Sequence, residues 1–520
     1  MNLSLVLSRA AAQWPSGVAL VDLDAPGGRR EFTYEEFDVA VRRTAAGLRA
    51  LGLSDGDRVA MLLPNSWEFV QVFMAVAAAG GVAVPLNTRV LADEHAHMVA
   101  DCGARLLVGD GALLEQRQSV AALPDLGAVA VRLARPPEPG VRAFESLAAE
   151  GTMESIARAP SDLASIFYTS GTTGKPKGVM LSHQAWMAIA GYARSYLRYA
   201  DGEVTIHLAP LTHGSGFLLL PTIAVGGTAL LCSRFEPSRA LDLFSREGVT
   251  NGFFVPSMIR MLLDSAGSGR ADAPSLRSLY YAGSSIDPDT LRAALLLFGP
   301  VLIQSFGQAE IPMFVTVLDH QEHARIAKGE TPHLMRSAGR RVDGAEVRIV
   351  DDDDRDLPVG EVGEIVARGA HMMTGYWNRP DATADTLRGG WVHTGDVGRF
   401  DDAGYLYIVD RKKDMIISGG SNVYAREVEE ALLAMDSIRE VAVIGLPHPK
   451  WGEMVTAVLV SRTGQPVDDD AMEAFCRASL PDYRRPKRFF WIDELPRNSY
   501  GKVLKRELRT RFTAAMEHGR

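Results

Sequence analysis

Apolar runs alternate with segments of helical periodicity along most of the chain. RVAMLLP (58–64) reads as a buried strand, WEFVQVFMAVAAAG (67–80) as a helix stopped by glycine, and GVAVPLN (81–87) as the next strand. Such alternation through the first four hundred or so residues predicts an α/β fold of layered helices and largely parallel strands. Farther on, DDDD (351–354) separates VRIV from DLPVGEVGEIVARG and predicts a solvated hairpin turn. No glycine and glutamate follow it at the offsets of an EF-hand calcium loop.

The pattern changes at DRKKD (410–414), which follows the strand-like YLYIV. After it come MIISGGSN, a helical AREVEEALLAM, a strand VAVIG, the loop LPHPKWGE and a strand VTAVLV. This is a small α+β unit with its own apolar set. The expected organisation is a large domain over 1–411 and a C-terminal domain over 412–520.

Composition narrows the class of protein. The 520 residues are 47% hydrophobic and 23% charged, enough for a sizeable core and more than one domain. A net charge of −9 gives no global field for nucleic acid. Cys102, Cys232 and Cys476 lie far apart without C-x-x-C spacing, so neither a disulfide framework nor a zinc site is expected; a reducing cytoplasm fits. The N-terminal segment lacks the basic region of a signal peptide. The longest apolar stretches, 73–86 and 216–232, are short and broken by glycine and proline, so no transmembrane segment is expected.

The densest chemistry lies in YTSGTTGKPKGVMLSH (168–183). Thr169, Ser170, Thr172 and Thr173 supply hydroxyls, Lys175 and Lys177 supply charge, and Gly171, Gly174 and Gly178 let the backbone approach a ligand. This is a phosphate loop in kind but not a Walker A loop. Thr169 holds the first glycine position, and Pro176 replaces the hydroxyl residue after Gly174-Lys175. Strands LASIFY and GVMLS flank it, and Ser182 is a candidate N-cap for the following helix.

The stretch closely resembles the signature loop of the adenylate-forming enzymes: acyl-CoA synthetases, aryl-CoA ligases, peptide-synthetase adenylation domains and firefly luciferase. Further motifs resemble the family's in the same order: APLTHGSG (209–216), YAGSS (281–285), IQSFGQAE (303–310), WVHTGDVGRF (391–400), SGGSN (418–422) and PRNSYGKVLKREL (496–508). The resemblance implies a large N-terminal domain of mixed, mostly parallel sheets layered with helices plus a β-barrel-like part. It also implies a small mobile α+β C-terminal domain.

The resemblance further implies a set of roles. Loop 169–178 would hold the ATP phosphates, with Gly283, Ser284, Gln304, Ser305, Phe306, Gly307, Gln308 and Ala309 along the nucleotide. Phe306 would stack on adenine. Glu310 would carry magnesium, a hard cation that prefers oxygen. Asp396 and Arg411 would take the ribose hydroxyls, and Lys502 the α-phosphate and carboxylate. His213, Gly214, Phe254, Ala282, Gly283, Gly307 and Ile311 would line the acyl pocket, with room left by Gly214, Ser215 and Gly216. Lys413 would be the hinge, and Gly419 and Gly420 would line a pantetheine tunnel for coenzyme A. Two departures stand out: phenylalanine replaces the commoner tyrosine at Phe306, and Ala309 lacks the usual threonine hydroxyl near the α-phosphate.

The implied reaction has two steps. The carboxylate attacks the α-phosphorus of ATP, giving an acyl-adenylate and pyrophosphate; a thiol then displaces AMP. Both depend on positioning and charge neutralisation. Swapping the Lys502 face for the Gly419–Gly420 face between steps would need rotation of the C-terminal domain.

Peptide-synthetase adenylation domains that select α-amino acids typically carry an aspartate where this chain reads Leu211-Thr212-His213, so the resemblance argues against an amino-acid substrate. Segments 217–220, 253–257, 281–285 and 308–313, which it implies line the pocket, contain no lysine or arginine to hold a second carboxylate. The expected substrate is a medium-chain fatty acid or an aromatic acid. The expected acceptor is coenzyme A; a carrier-protein phosphopantetheine in trans is the rival. A non-catalytic nucleotide-binding protein of the same fold is the alternative from another class. A homodimer is compatible with the sequence.

Overall fold

In the computed structural model, residues 3–116, 120, 126–132, 141–169, 175–267, 269–497 and 503–517 are described. Among them, strands assemble into sheets of nine, eight, five and five members. The predicted α/β alternation is present. Strand β1 (Arg58–Leu62), helix α1 (Trp67–Ala78) and β2 (Val82–Pro85) fall where the pattern put them, and β1 and β2 pair in parallel. Ser66 caps α1 by accepting from Phe69 N. All but one of the residues of α1 are buried, as expected for a helix that is apolar nearly all round.

The eight-stranded sheet continues through β3 (Leu163–Thr169) and β4 (Lys177–Ser182), an antiparallel hairpin next to one edge of a mainly parallel sheet. Helix α2 (His183–Tyr196) follows directly, capped by Ser182 accepting from Ala185 N at 3.2 Å, as the sequence predicts.

The nine-stranded sheet contains β5 (Asn251–Phe254), β6 (Ser278–Tyr281) and β7 (Leu302–Gln308), parallel neighbours, followed by the antiparallel β8 (Ile311–Leu318). Strand β9 (Gly375–Tyr376) returns to the eight-stranded sheet and pairs antiparallel with β4. A five-stranded sheet holds Ala345–Val350, Gly363–Gly369, Leu387–Arg388, β10 (Trp391–Phe400) and β11 (Leu406–Arg411). The aspartate run is a turn, with the Asp351 carboxylate accepting from the backbone N–H groups of Asp353 and Arg355.

The chain forms two compact units: Met1–Val347 with Val366–His393 and Ala403–Leu406, and Arg348–Ile365 with Thr394–Asp402 and Tyr407–Arg520. The single boundary expected at 411/412 differs from this division. The second unit also takes in two earlier segments, because the chain runs back and forth through the five-stranded sheet.

Past residue 411 the second unit holds the predicted α+β elements. Strands β12 (Ile416–Ser418) and β13 (Ser421–Val423) form a hairpin, followed by helix α3 (Ala425–Leu433) and the long pair β14 (Ile438–His448) and β15 (Gly452–Ser461). Its core gathers Ile416, Val428, Leu432, Val443, Val455 and Leu459, all at most 1% exposed. No described helix is long and apolar enough to cross a membrane.

Candidate functional site

The phosphate-loop hairpin is held at its base. Thr169 and Lys177 are paired residues of β3 and β4. Ser170, Gly171, Thr172, Thr173 and Gly174 lie outside the described residues. Lys175 is exposed and Lys177 half-buried. Gly178 serves packing rather than a turn: a Cβ there would stand 2.7 Å from Ile166 and 3.4 Å from Trp377. The hairpin is anchored by Tyr168, whose hydroxyl donates to Asp101 at 2.7 Å, while Arg379 pairs with the other Asp101 oxygen at 3.0 Å.

The second element is the β7–β8 hairpin, which carries Gln304 through Ile311. A register shift between Phe306 and Gln308 marks a bulge. Gly307 is required there, since a Cβ would lie 2.6 Å from Met313 N. Phe306 is 9% exposed, Ser305 is buried, and Ile311 is fully buried as the partner of Gln308. At the turn, Ala309 precedes Glu310, whose carboxylate accepts from the Tyr376 hydroxyl at 2.5 Å. The Glu310 carbonyl accepts from Met373 N at 2.8 Å. The Lys177 ammonium stands 4.9 Å from the centre of the Tyr376 ring. Tyr376 thus bridges the phosphate-loop strand and the candidate magnesium carboxylate. Burial, and then the Glu310 charge, pushes its phenol pKa up.

Tyr376 was not legible as a site residue. Its only sequence signal is its place in GYW (375–377), and its role depends on β9 pairing with β4 across some two hundred residues, Tyr376 opposite Val179.

The third element is the His213 loop. His213 Nδ1 lies 2.8 Å from the Thr212 hydroxyl. Burial, and then the nearby Arg89 charge, lowers its pKa to about 4, so the imidazole is neutral near pH 7. Asn65 fixes the loop by donating to the carbonyls of His207 and Ala209 at 3.1 and 2.9 Å and accepting from Leu211 N at 2.8 Å. The expected empty room at the glycines is not there. A Cβ on Gly214 would meet the Phe253 ring at 2.5 Å, and one on Gly216 the Leu211 carbonyl at 2.1 Å. The Ser215 hydroxyl is turned to His207, 3.0 Å away. These residues are small because their neighbours already fill the space.

Phe254 also needs correction. Side chains alternate across a strand, and Phe254 points to the face opposite Phe253, where it packs on Phe244 with centroids 6.0 Å apart. Phe253, not Phe254, touches the His213 loop. Beyond β6, Ala282 is buried, while Gly283, at φ +89°, and Ser284 are exposed.

In the second compact unit, Asp396 and Arg411 come together. The Arg411 Nε lies 2.5 Å from the buried Asp396 carboxylate. Glu364 reinforces the strand end, accepting from Gly395 N at 3.2 Å and pairing with Lys412 at 3.1 Å. Lys413 is exposed in a short 3-10 turn, Lys412–Asp414. Gly419 and Gly420, at φ +59° and +82°, are the two turn residues of the β12–β13 hairpin, a conformation that favours glycine twice over. Gly419 N donates to the Trp451 carbonyl at 2.8 Å. Lys502 lies outside the described residues.

Among the described residues no group of three or more His, Cys, Asp and Glu could hold a metal ion. The donor on offer is one carboxylate, Glu310. That fits magnesium carried in by phosphates, which keeps most of its shell as phosphate oxygen and water.

Comparison with known proteins shows the family. Residues 7–377 match the family of AMP-binding enzymes, and residues 427–502 the AMP-binding enzyme C-terminal domain. The chain is 39% identical over 489 residues to a feruloyl-CoA synthase of an Amycolatopsis species, covering 93% of this chain and 95% of that one. It is 35% identical to the fatty acid–[acyl-carrier-protein] ligase ScoC of Streptomyces coeruleorubidus, covering 93% and 92%. The fold superposes on ATP-bound MatB from Rhodopseudomonas palustris with a TM-score of 0.87 at 30% identity, covering 99% and 100% of the chains. A phosphate-loop hairpin tied through Tyr376 to Glu310, a neutral His213, and an Asp396–Arg411 pair therefore stand in a chain that belongs to the AMP-binding enzyme family.

Proposed function

We propose that this AMP-forming carboxylate–CoA ligase activates an aromatic acid whose only charge is its carboxylate. The observation that carries the reading is the Lys177–Tyr376–Glu310 cluster at the foot of the phosphate-loop hairpin. It gathers a cation, a hydroxyl donor and a magnesium-binding carboxylate where nucleotide phosphates would lie. The aromatic preference is supported by Phe253 against Gly214 in the His213 loop and by the feruloyl-CoA synthase relative.

In this reading residues 169–178 hold the β- and γ-phosphates, and Asp396 with Arg411 the ribose. Lys502 meets the developing charge at the α-phosphate. ATP-borne magnesium on Glu310 would offset the pyrophosphate charge. Neutral His213 sits by the acyl carbonyl without adding a charge. Lys413 is the hinge for a domain rotation that brings Gly419 and Gly420 to the thiol. A cytoplasmic setting agrees with three buried, free cysteines; a homodimer is left to sedimentation.

A second acceptor is favoured by one observation: the ScoC relative transfers to an acyl carrier protein. Pyrophosphate release from magnesium-ATP across aryl and fatty acids, with and without CoA, tests both readings. Turnover needing one aryl acid and CoA is expected. Adenylate that CoA cannot discharge would move the acceptor to a carrier protein. ATP binding without release for any acid would support a non-catalytic nucleotide binder.

A further inference from the structure

Within the first compact unit, aromatic rings run in an unbroken column away from the His213 loop. The inner end is Phe253, whose ring occupies the space a Cβ on Gly214 would need. Phe253 meets Tyr280 edge to face with centroids 5.4 Å apart, and Tyr280 stacks on Phe314 at 5.7 Å. Phe314 in turn meets Tyr192 at 6.1 Å and Tyr196 at 6.4 Å. Phe253, Tyr280 and Phe314 are 5%, 0% and 0% exposed. Tyr192 and Tyr196 are half-buried and line an open groove of about 580 Å³ with Gly191, Ser195 and Gly344.

The column follows from register. Phe253 and Tyr280 are direct partners in β5 and β6, so both rings rise from the same face of the sheet. Helix α2 packs against β8, and Tyr192 and Tyr196, one turn apart, meet Phe314 from above. The rings are braced. The Tyr280 hydroxyl is 2.5 Å from Ser305 Oγ, and Tyr192 sits edge-on to buried His371 at 5.0 Å. A Cβ on Gly344 would come within 3.0 Å of the Tyr192 hydroxyl.

We propose that this column is the end wall of the acyl site. It stops the tail at Phe253 and selects short, flat acids over extended fatty chains, and it separates the site from the groove behind. The inference rests on the acyl-CoA ligase reading, with the carboxylate beside His213. A planar acid can meet the Phe253 ring in the edge-to-face or offset geometry that aromatic pairs prefer. A longer aliphatic tail must displace a close-packed ring, and such interiors feel a single methylene.

The test compares kcat/KM for CoA ligation of straight-chain acids, from butanoate to hexadecanoate, with that of benzoate and cinnamate. Wild type, Tyr280→Leu and Phe314→Leu are assayed, each with a thermal unfolding curve. In the wild type, each methylene beyond the wall is expected to cost about tenfold or more. The leucine variants shift the cut-off to longer chains, because the Phe253 ring then loses the close packing behind it and can give way toward the groove. A wild type that ligates long chains as well as cinnamate overturns the inference, even if neither variant folds. So do folded variants with the wild-type cut-off. A wild type that transfers no acid of either series to CoA instead overturns the ligase reading, and the inference with it.

Discussion

Replacing Tyr376 by phenylalanine removes one hydroxyl from the contact between the phosphate-loop strand and Glu310. The hydroxyl donates to the Glu310 carboxylate at 2.5 Å, and the ring that remains still faces the Lys177 ammonium at 4.9 Å. A hydrogen bond to a charged acceptor contributes about 1.5–3 kcal/mol. Glu310 is only half-buried, so water can replace part of the loss, and the lower end applies. That amounts to about a tenfold fall in kcat/KM for magnesium-ATP, since about 1.4 kcal/mol is one power of ten. Tyr376→Leu also removes the ring, worth a further 0.5–1 kcal/mol or so at a partly exposed cation. Pyrophosphate exchange at saturating acid, with magnesium-ATP varied, reads both. A merely structural tyrosine would lower the unfolding midpoint and leave kcat/KM alone. A Tyr376→Phe enzyme with unchanged kcat/KM and an unchanged magnesium requirement would refute the idea that this hydroxyl positions Glu310.

Gly216→Ala forces a methyl group into the Leu211 carbonyl, which would lie 2.1 Å away; overpacking of this kind costs about 1–3 kcal/mol, seen as a lower unfolding midpoint. Asp396→Asn leaves the shape but removes the negative charge that Arg411 pairs with, 2.5 Å away; the KM for ATP should rise about tenfold with little change in KM for the acid. Lys413→Pro should slow thioester formation and leave the N-terminal unit folded; full rates in both half-reactions would end the rotation proposal. His323 is buried, donates through Nδ1 to the Asp319 carbonyl and accepts at Nε2 from the Tyr281 hydroxyl, and its pKa is lowered to about 4. A lowered value means the unfolded chain takes up the proton first, so stability falls as pH drops from about 6.5 toward 4. His323→Gln should flatten the pH dependence of unfolding between pH 5 and 6.5 by up to about 1.4 kcal/mol per pH unit; an unaltered slope would contradict the assignment.

Local order was legible along the chain because it depends on near neighbours. The run 58–64, the helix begun after Ser66, the Ser182 cap and the aspartate turn each follow from residues a few positions apart. The ordered motifs were legible in the same way, as short strings that fold as units: the glycine pair 419–420 in its hairpin turn, and the β7–β8 hairpin carrying Glu310.

Tertiary structure decided what depends on facing. Whether Phe253 or Phe254 meets the His213 loop turns on strand phase, which a run of apolar residues leaves open because both faces of a central strand are buried. That Gly214 is small because Phe253 presses on it, rather than to leave room, appears only when distant residues pack. Tyr376 joins Glu310 to Lys177 through a two-residue strand whose partner lies some two hundred residues earlier. Sequence by itself therefore determined the family, the chemistry and the local elements. Which side chains confront one another was set by sheet register and close packing, and these arise only when segments remote along the chain are brought together.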